Sequence, residues 1–321
     1  MKKLIIVFIL LIHVNLLFSQ APVVSNVSFS QRTDGSLIVD IYYDLSDTDG
    51  ETKKIVIEAS NDGGSSWTLP CNSITGDVGA GVALGTGKHA VWDFHADNPD
   101  QSGSNYKIRV TASEVGTMTG NDGKTYATVK IGTQWWMAEN LRETEYRDNS
   151  AIPVVTDNDA WKNLSTDARC AYNNDEPTSA TYGYLYNWYA VNNAAPADLA
   201  PAGWHVPTDD EWTTLITYLG GTAIPAQYKW DVAGGKLKEE GTTHWNTPNT
   251  GATDEFDFTA LPGGYRYPTG TGSCTNLGVN AFFWASVSPR YRQLWSESAD
   301  IYGYETVADE ACGYSVRLIK D

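Results

Sequence analysis

The first third of the chain alternates apolar and polar residues with a period of two. In residues 37–44 the apolar side chains occupy every second position, and the same alternation recurs in residues 53–60 and 106–113. Clusters of Gly, Asp and Ser separate these runs, as turns do in antiparallel sheets. The pattern predicts an all-β sandwich of immunoglobulin or fibronectin type over residues 21–114.

Beyond this region the pattern mixes strand and helix signals. The Asn-Asp-Gly sequence at residues 121–123 indicates a tight turn, and the alternation that follows it predicts a β-hairpin. Further on, Thr208 can cap a helix and Glu211 can complete a capping box. The apolar residues within 212–219 then share one helical face. We therefore expect an amphipathic helix packed on a sheet.

Three consecutive large apolar residues, Trp135, Trp136 and Met137, follow the predicted hairpin. Burying an aromatic side chain removes roughly 150 to 250 Å² from water. We expect this cluster to anchor the core. An exposed binding platform is the alternative interpretation of the same residues.

The N-terminus has the organisation of a signal peptide over residues 1–20. Lys2 and Lys3 precede an apolar run that extends from Leu4 to Phe18. The run is too short and too interrupted for a membrane span, and no later stretch approaches roughly 20 apolar residues. We expect export to the periplasm, the outer cell surface or the medium, with no integral membrane segment after cleavage.

The charge balance narrows the classes of partner. The chain has 22 Lys and Arg against 39 Asp and Glu, a formal net charge of -17 at pH 7. An acidic surface repels phosphate backbones, which argues against a nucleic-acid partner. Solubility is the simpler interpretation of the acidity.

The four cysteines allow three disulfide connectivities in an oxidising compartment. We expect Cys274 to pair with Cys312, because both lie in the C-terminal loops. Cys71 and Cys170 would then be free thiols.

Metal sites have weak support in the sequence. The acidic segment of residues 44–51 lacks the ligand spacing of an EF-hand, so an acidic turn is the preferred interpretation and structural calcium the alternative. The histidines are isolated, and no CxxC or HExxH motif occurs. We expect no cofactor.

Several longer phrases occur in order between Asp122 and Asp321, among them YGYLYNWYAV, GWHVPTDDEW, LPGGYRY and GYSVRLIKD. Together they resemble the Fibrobacter succinogenes major paralogous domain, which is related to the formylglycine-generating-enzyme and C-type-lectin-like folds. The resemblance implies an α+β domain of that type over residues 115–321. It implies no activity, since the family has none established.

The copper-dependent oxidases of the related fold use two nearby cysteines late in the domain. Cys274 and Cys312 lack that close spacing, so the resemblance does not carry the catalytic residues over to this chain. We therefore expect a protein that is not an enzyme, with an oxidase-like enzyme and a purely structural envelope component as alternatives.

The C-terminal loops combine aromatic residues and Arg with Gly, Ser, Asn and Thr, a mixture that recognition surfaces use. Related lectin-like folds display ligand-binding residues on comparable loops, which extends to this chain by analogy only. We expect an extracellular glycan or protein to bind there. The candidate residues are Tyr265, Arg266, Tyr267, Tyr291, Arg292, Trp295, Tyr302 and Tyr304.

Overall fold

The computed structural model of the protein describes residues 22–48, 50–192, 197–303 and 308–321. The expected signal peptide lies outside these ranges. Within them the strands pair into antiparallel sheets, and the helices are few and short, so the fold is β-rich.

The strands of the described residues are numbered in chain order. They are β1 Val23–Gln31, β2 Ile38–Ser46, β3 Lys53–Ser60, β4 Ile74–Gly76, β5 Gly79–Val82, β6 Gly85–Asp93, β7 Lys107–Thr119, β8 Thr125–Ile131, β9 Gln134–Met137, β10 Arg169–Cys170, β11 Leu185–Tyr186, β12 Trp204–His205, β13 Ala223–Ile224, β14 Lys229–Trp230, β15 Tyr265–Arg266, β16 Cys274–Thr275, β17 Asn280–Ala285, β18 Arg290–Trp295, β19 Ile301–Tyr302 and β20 Ile319–Lys320.

The helices are short. They are α1 Phe94–Asp97, α2 Asn158–Lys162, α3 Ser179–Tyr182, α4 Trp188–Val191, α5 Asp209–Tyr218 and α6 Ala233–Leu237, with 3₁₀ turns at Tyr172–Asn174, Glu176–Thr178 and Pro225–Gln227. None of the helices within the described ranges has the length and apolar character needed to cross a bilayer.

The N-terminal strands form two facing layers. One is the sheet β1-β2-β6-β4, and the other contains β5, β3 and β7 side by side. Because alternate side chains of a strand point to opposite faces, Ile41 and Tyr43 of β2 meet Ile55 and Ile57 of β3 in a shared apolar core. The predicted period-two alternation is confirmed in these strands.

Strand β7 joins the two halves of the chain. It is 13 residues long; residues 107–113 pair with β3, and residues 114–119 pair with β8. The resulting seven-stranded sheet has the order β12-β20-β9-β8-β7-β3-β5. The expected boundary between residues 114 and 115 thus lies inside one strand, at the point where the pairing partner changes.

The expected hairpin forms between β7 and β8, with Gly123 at a positive φ of 80° in its turn. Downstream, Trp136 and Met137 are completely buried and Trp135 is half-buried. The prediction that this cluster anchors the core is therefore confirmed.

Helix α5 begins at the predicted cap. The Thr208 hydroxyl accepts a hydrogen bond from the Glu211 amide, and the Glu211 carboxylate accepts one from the Thr208 amide, so the capping box is complete. The apolar face of α5 places Trp212 in a core with Trp136 and Phe283. A second core, around Trp284, lies on the opposite face of β17.

Candidate functional site

The C-terminal sheet, of order β13-β14-β19-β18-β17, has two chemically different faces. In β18, Tyr291 packs toward Phe282, with ring centroids 5.6 Å apart, whereas Leu294 is buried in the core beneath α5. Neighbouring residues of a strand point to opposite faces. Tyr291 and Arg292 therefore lie on different faces, although the sequence places them side by side.

The face that carries Tyr291 also carries Trp295 and Tyr302. Tyr302 is the cross-strand partner of Gln293, and its ring centroid lies 6.4 Å from that of Trp295. The Lys229 ammonium lies 5.8 Å from the Tyr302 ring. Trp295 is 40% exposed.

The β15–β16 hairpin extends this face. The Tyr265 ring lies 4.8 Å from Phe282 and 5.9 Å from Tyr267, and Tyr267 is 46% exposed. Burial raises the pKa of Tyr265. We call the set Tyr265, Tyr267, Tyr291, Trp295 and Tyr302 the aromatic face; it contains five of the eight candidate residues.

Arg266 is completely buried and does not belong to this surface. Its guanidinium lies 4.4 Å from the Trp161 ring and donates to the backbone carbonyls of Gly272, Val155 and Thr156. It also donates to the side-chain oxygens of Asn174 and Asn158. Its donors are engaged within the protein, so Arg266 holds loops together and is not available to a ligand.

Arg292 is also buried, with 3% of its surface exposed. Its Nη1 donates to Asp209 Oδ1 at 2.8 Å, and Arg290 donates to the other oxygen of the same carboxylate at 2.6 Å. Burial lowers the pKa of Arg292. Its Nε is buried with no hydrogen-bond partner among the described residues. Arg292 therefore lies beneath the surface, where it positions the Asp209 carboxylate.

A cleft of about 360 Å³ opens between the first turn of α5, the β13–β14 hairpin and β18. Its lining includes Asp210, Tyr228, Trp230 and Arg290. Tyr228 is 44% exposed, and Asp210 is also exposed. The volume lies at the lower end of the range for small-ligand pockets, roughly 300 to 1,000 Å³.

Gly303 lines the cleft directly after strand β19. A Cβ at this position would lie 2.9 Å from the Trp230 ring and 3.1 Å from the Arg292 guanidinium carbon, so only glycine allows the close approach. The next residue, the candidate Tyr304, lies outside the described residues.

Charges around the cleft balance. Two carboxylates, Asp209 and Asp210, and three cations, Lys229, Arg290 and Arg292, line it, and the charge of Lys229 is paired with Asp300 outside the lining. The Lys229 ammonium donates to Asp300 at 2.5 Å while it also lies beside the Tyr302 ring. Lys229 thus lines the cleft while its ammonium contacts the aromatic face, which lies on the opposite side of the sheet from Arg290 and Arg292.

Most residues of the cleft are absent from the candidates predicted from sequence. Tyr228, Lys229 and Trp230 are consecutive and have the same aromatic and basic mixture as the Tyr-Arg segments among those candidates. That composition could have identified them. The contribution of Asp209 had no such signal, because it depends on α5 packing against β18.

The structure does not form the expected Cys274–Cys312 bridge; all four cysteines are free thiols. The β15–β16 hairpin directs Cys274 toward Cys170, and their thiols are in hydrogen-bonding contact. Cys312 instead contacts the Tyr314 side chain, and burial raises its pKa to about 11.

The acidic segment near the N-terminus is occupied by internal contacts. Asp44 accepts hydrogen bonds from Asn26 and from the Gly87 amide, and Asp47 pairs with buried Lys53 at 2.9 Å. Asp49 lies outside the described residues. In the part of the chain that the structure describes, no group of three or more His, Cys, Asp or Glu side chains is placed to hold a metal ion.

Comparison with known proteins identifies a family. No curated protein and no solved structure matches the chain. A sequence model of the Fibrobacter succinogenes major domain matches residues 129–320, which is more than half of the chain and includes the cleft and the aromatic face. The chain therefore belongs to the Fibrobacter succinogenes major domain family.

Proposed function

We propose that this protein is an exported, non-catalytic binding module that recognises an uncharged glycan through two surfaces of the C-terminal sheet, the cleft and the aromatic face on the other side of the same strands. The main support for the proposal is that aromatic rings lie beside charged groups held in ion pairs. The Lys229 ammonium, for example, is paired with Asp300 and lies over the Tyr302 ring. The expected signal peptide and the acidic composition support export.

The chemistry of sugars fits this arrangement. A sugar ring has apolar C–H faces, which stack on aromatic rings, and hydroxyl groups, which need paired donors and acceptors. Trp295 and Tyr228 provide exposed rings, and Asp210 and Arg290 provide an acceptor and a donor in the cleft. With Lys229 paired to Asp300, two carboxylates and two arginines remain in the lining, and this balance favours a ligand without net charge.

The architecture is part of the same proposal. We propose that the N-terminal layers are an immunoglobulin-like or fibronectin-like sandwich that acts as a spacer, and that the remainder is an α+β domain of C-type-lectin-like and formylglycine-generating-enzyme-like type. Ligand binding near the C-terminal loops of lectin-like folds supports the choice of surface by analogy. The protein would act in the periplasm, at the outer cell surface or in the medium.

The test uses an array of neutral and acidic oligosaccharides, followed by calorimetry with the neutral oligosaccharide that binds best. Tyr228→Ala and Trp295→Ala should each weaken binding about tenfold, because loss of a stacking ring costs about 1.4 kcal/mol. Tyr42→Ala is the matched control, since Tyr42 is 43% exposed and lies in a separate sheet, β1-β2-β6-β4, none of whose residues line the cleft.

Binding to acidic sugars alone, or equal losses in all three variants, would contradict the proposal. An empty array combined with capture of a protein from cell-surface fractions would replace the glycan with a protein ligand. Thermal melts of each variant establish that the fold is intact.

A second candidate function, an oxidase-like enzyme, has one specific observation in its favour. Cys170 and Cys274 lie together, and two thiolates are a donor set suited to copper(I). We rank it second because Cys170 is completely buried, and burial raises its pKa well above the ordinary value. Stoichiometric copper(I) binding that is lost in Cys274→Ser would favour this function.

A further inference from the structure

Two thiols meet between distant parts of the sequence. Cys170 lies in β10 and Cys274 in β16, and the two side chains are in hydrogen-bonding contact. Both belong to a small apolar cluster around Trp161, Tyr172 and Leu185. A disulfide requires sulfur atoms that can approach without movement of the backbone, and few thiol pairs in a folded chain meet that condition.

We propose that Cys170 and Cys274 form a disulfide bond in the oxidised, exported protein. This inference goes beyond the proposed binding function; it rests on the proposed export and is independent of glycan recognition. It also replaces the Cys274–Cys312 pairing that the sequence suggested.

The bond would form by thiol–disulfide exchange with a disulfide-containing oxidant of the export compartment. Cys274, which is half-buried, loses its proton, and its sulfur attacks one sulfur of the oxidant and releases the other as a thiol. Cys170 then loses its proton, and its sulfur attacks the Cys274 sulfur and releases the second oxidant thiol. Two protein thiols are oxidised, and one oxidant disulfide is reduced to two thiols.

The surroundings of the pair suit this order of events. The hydrogen-bonding contact with Cys170 contributes most to stabilising the Cys274 thiolate, and a hydrogen bond from the Asn173 amide and the nearby Arg266 charge add to it. These contacts lower the pKa of Cys274 to about 7. Cys170 is completely buried, so the oxidant reaches Cys274 first.

The other two cysteines lack such a partner. Burial raises the pKa of Cys71 to about 12, and its electrostatic neighbours are the carboxylates of Asp97 and Glu58. Cys312 contacts Tyr314. Both are therefore expected to stay reduced in the folded protein.

The bond would connect the β15–β16 hairpin to β10. That hairpin carries Tyr265 and Tyr267, so the disulfide would fix one end of the aromatic face. It would also close a loop of about 100 residues, a length at which chain-entropy stabilisation is large.

Tryptic mapping of the exported full-length protein tests the pairing directly. The four cysteines fall in four different tryptic peptides, Ile55–Lys88, Cys170–Lys229, Tyr267–Arg290 and Gln293–Arg317. The protein is oxidised with glutathione disulfide, its free thiols are alkylated, and it is digested without reductant. We expect Cys170–Lys229 joined to Tyr267–Arg290, and alkylated cysteine in the other two peptides.

Alkylated cysteine in all four peptides, or Tyr267–Arg290 joined to Gln293–Arg317, would overturn the proposal. Because this measurement uses the wild-type chain, a variant that fails to fold cannot obscure it. An empty glycan array would leave this result unchanged, so the two proposals fail separately.

Variants add a second readout, the thermal stability of the oxidised and reduced protein. Dithiothreitol should lower the Tm of the oxidised wild type and of Cys312→Ser by several degrees, and should leave the Tm of Cys274→Ser unchanged. Equal sensitivity of all three proteins to the reductant would contradict a stabilising Cys170–Cys274 bond.

Discussion

At the residue scale, individual buried guanidinium groups hold segments of this protein together by hydrogen bonds. Arg317 is completely buried and donates to the Asn140 side chain and to the carbonyls of Met137, Phe258 and Thr259. Burial lowers its pKa to about 9. Arg266 has the same kind of environment, because neutral oxygens surround it. Each cation thus holds together several segments that are distant in sequence.

Arg266→Lys should destabilise the fold by about 3 kcal/mol, because a lysine cannot satisfy the fork of oxygens and leaves buried carbonyls unpaired. Urea unfolding measures the change. Arg32→Lys is the control, since Arg32 forms an exposed bidentate pair with Asp40. Equal stability of the two variants would show that Arg266 does not hold the loops.

At the scale of elements, α5 orients the cleft because its first turn contacts β18. Its N-terminal residue Asp209 holds Arg290 and Arg292, so the position of the helix start sets the position of both cations. The capping box at Thr208 and Glu211 determines where that start lies.

Thr208→Ala should cost about 1 kcal/mol of stability, because the Glu211 amide loses its acceptor. Chemical denaturation provides the measurement. Thr214→Ala is the matched control in the same helix, since Thr214 is exposed and only bonds back to the Asp210 carbonyl. A loss in the control as large as in Thr208→Ala would argue against capping as the cause.

The elements that could be predicted from sequence are those with local signals. The strands β2 and β3 have period-two alternation, and α5 has a cap and an apolar stripe. The cleft depends on two-residue strands such as β13 and β14, which are too short for a periodic signal. The separation of Tyr291 from Arg292 follows from strand geometry, but the burial of Arg266 depends on loops about 90 to 110 residues away in sequence.

At the scale of the whole molecule, the long strand β7 couples the N-terminal layers to the rest of the chain. Beside it, a groove of about 550 Å³ is lined by carboxylates that include Glu58, Glu240 and Asp254. Across the groove, Lys54 donates to Asp257 at 2.6 Å. Burial raises the pKa of Glu240 and raises that of Asp254 to about 6.

This groove predicts a pH dependence of stability. The pKa of Asp254 rises from an ordinary 3.8 to about 6 on folding, so the folded state binds more protons than the unfolded state between those values. The stability that this group contributes is complete below about pH 4 and is lost as the pH rises through 6. Asp254→Asn should therefore gain stability relative to wild type between pH 4 and pH 7.

Urea unfolding at both pH values measures that gain, with Asp100→Asn, at an exposed position, as the control. A difference between Asp254→Asn and wild type that stays constant with pH would contradict the assignment. The same trend in Asp100→Asn would attribute the effect to net charge.

The central claim, glycan binding at the cleft and aromatic face, is tested most directly by hydroxyl-radical footprinting of the wild-type protein with and without the neutral oligosaccharide. We predict that the ligand reduces oxidation of Trp295 and Tyr228 and leaves Tyr42 unchanged, because only the first two residues border the proposed site. Unchanged oxidation of Trp295 and Tyr228 with saturating ligand, or protection confined to Tyr42 and the N-terminal layers, would contradict glycan binding at this site.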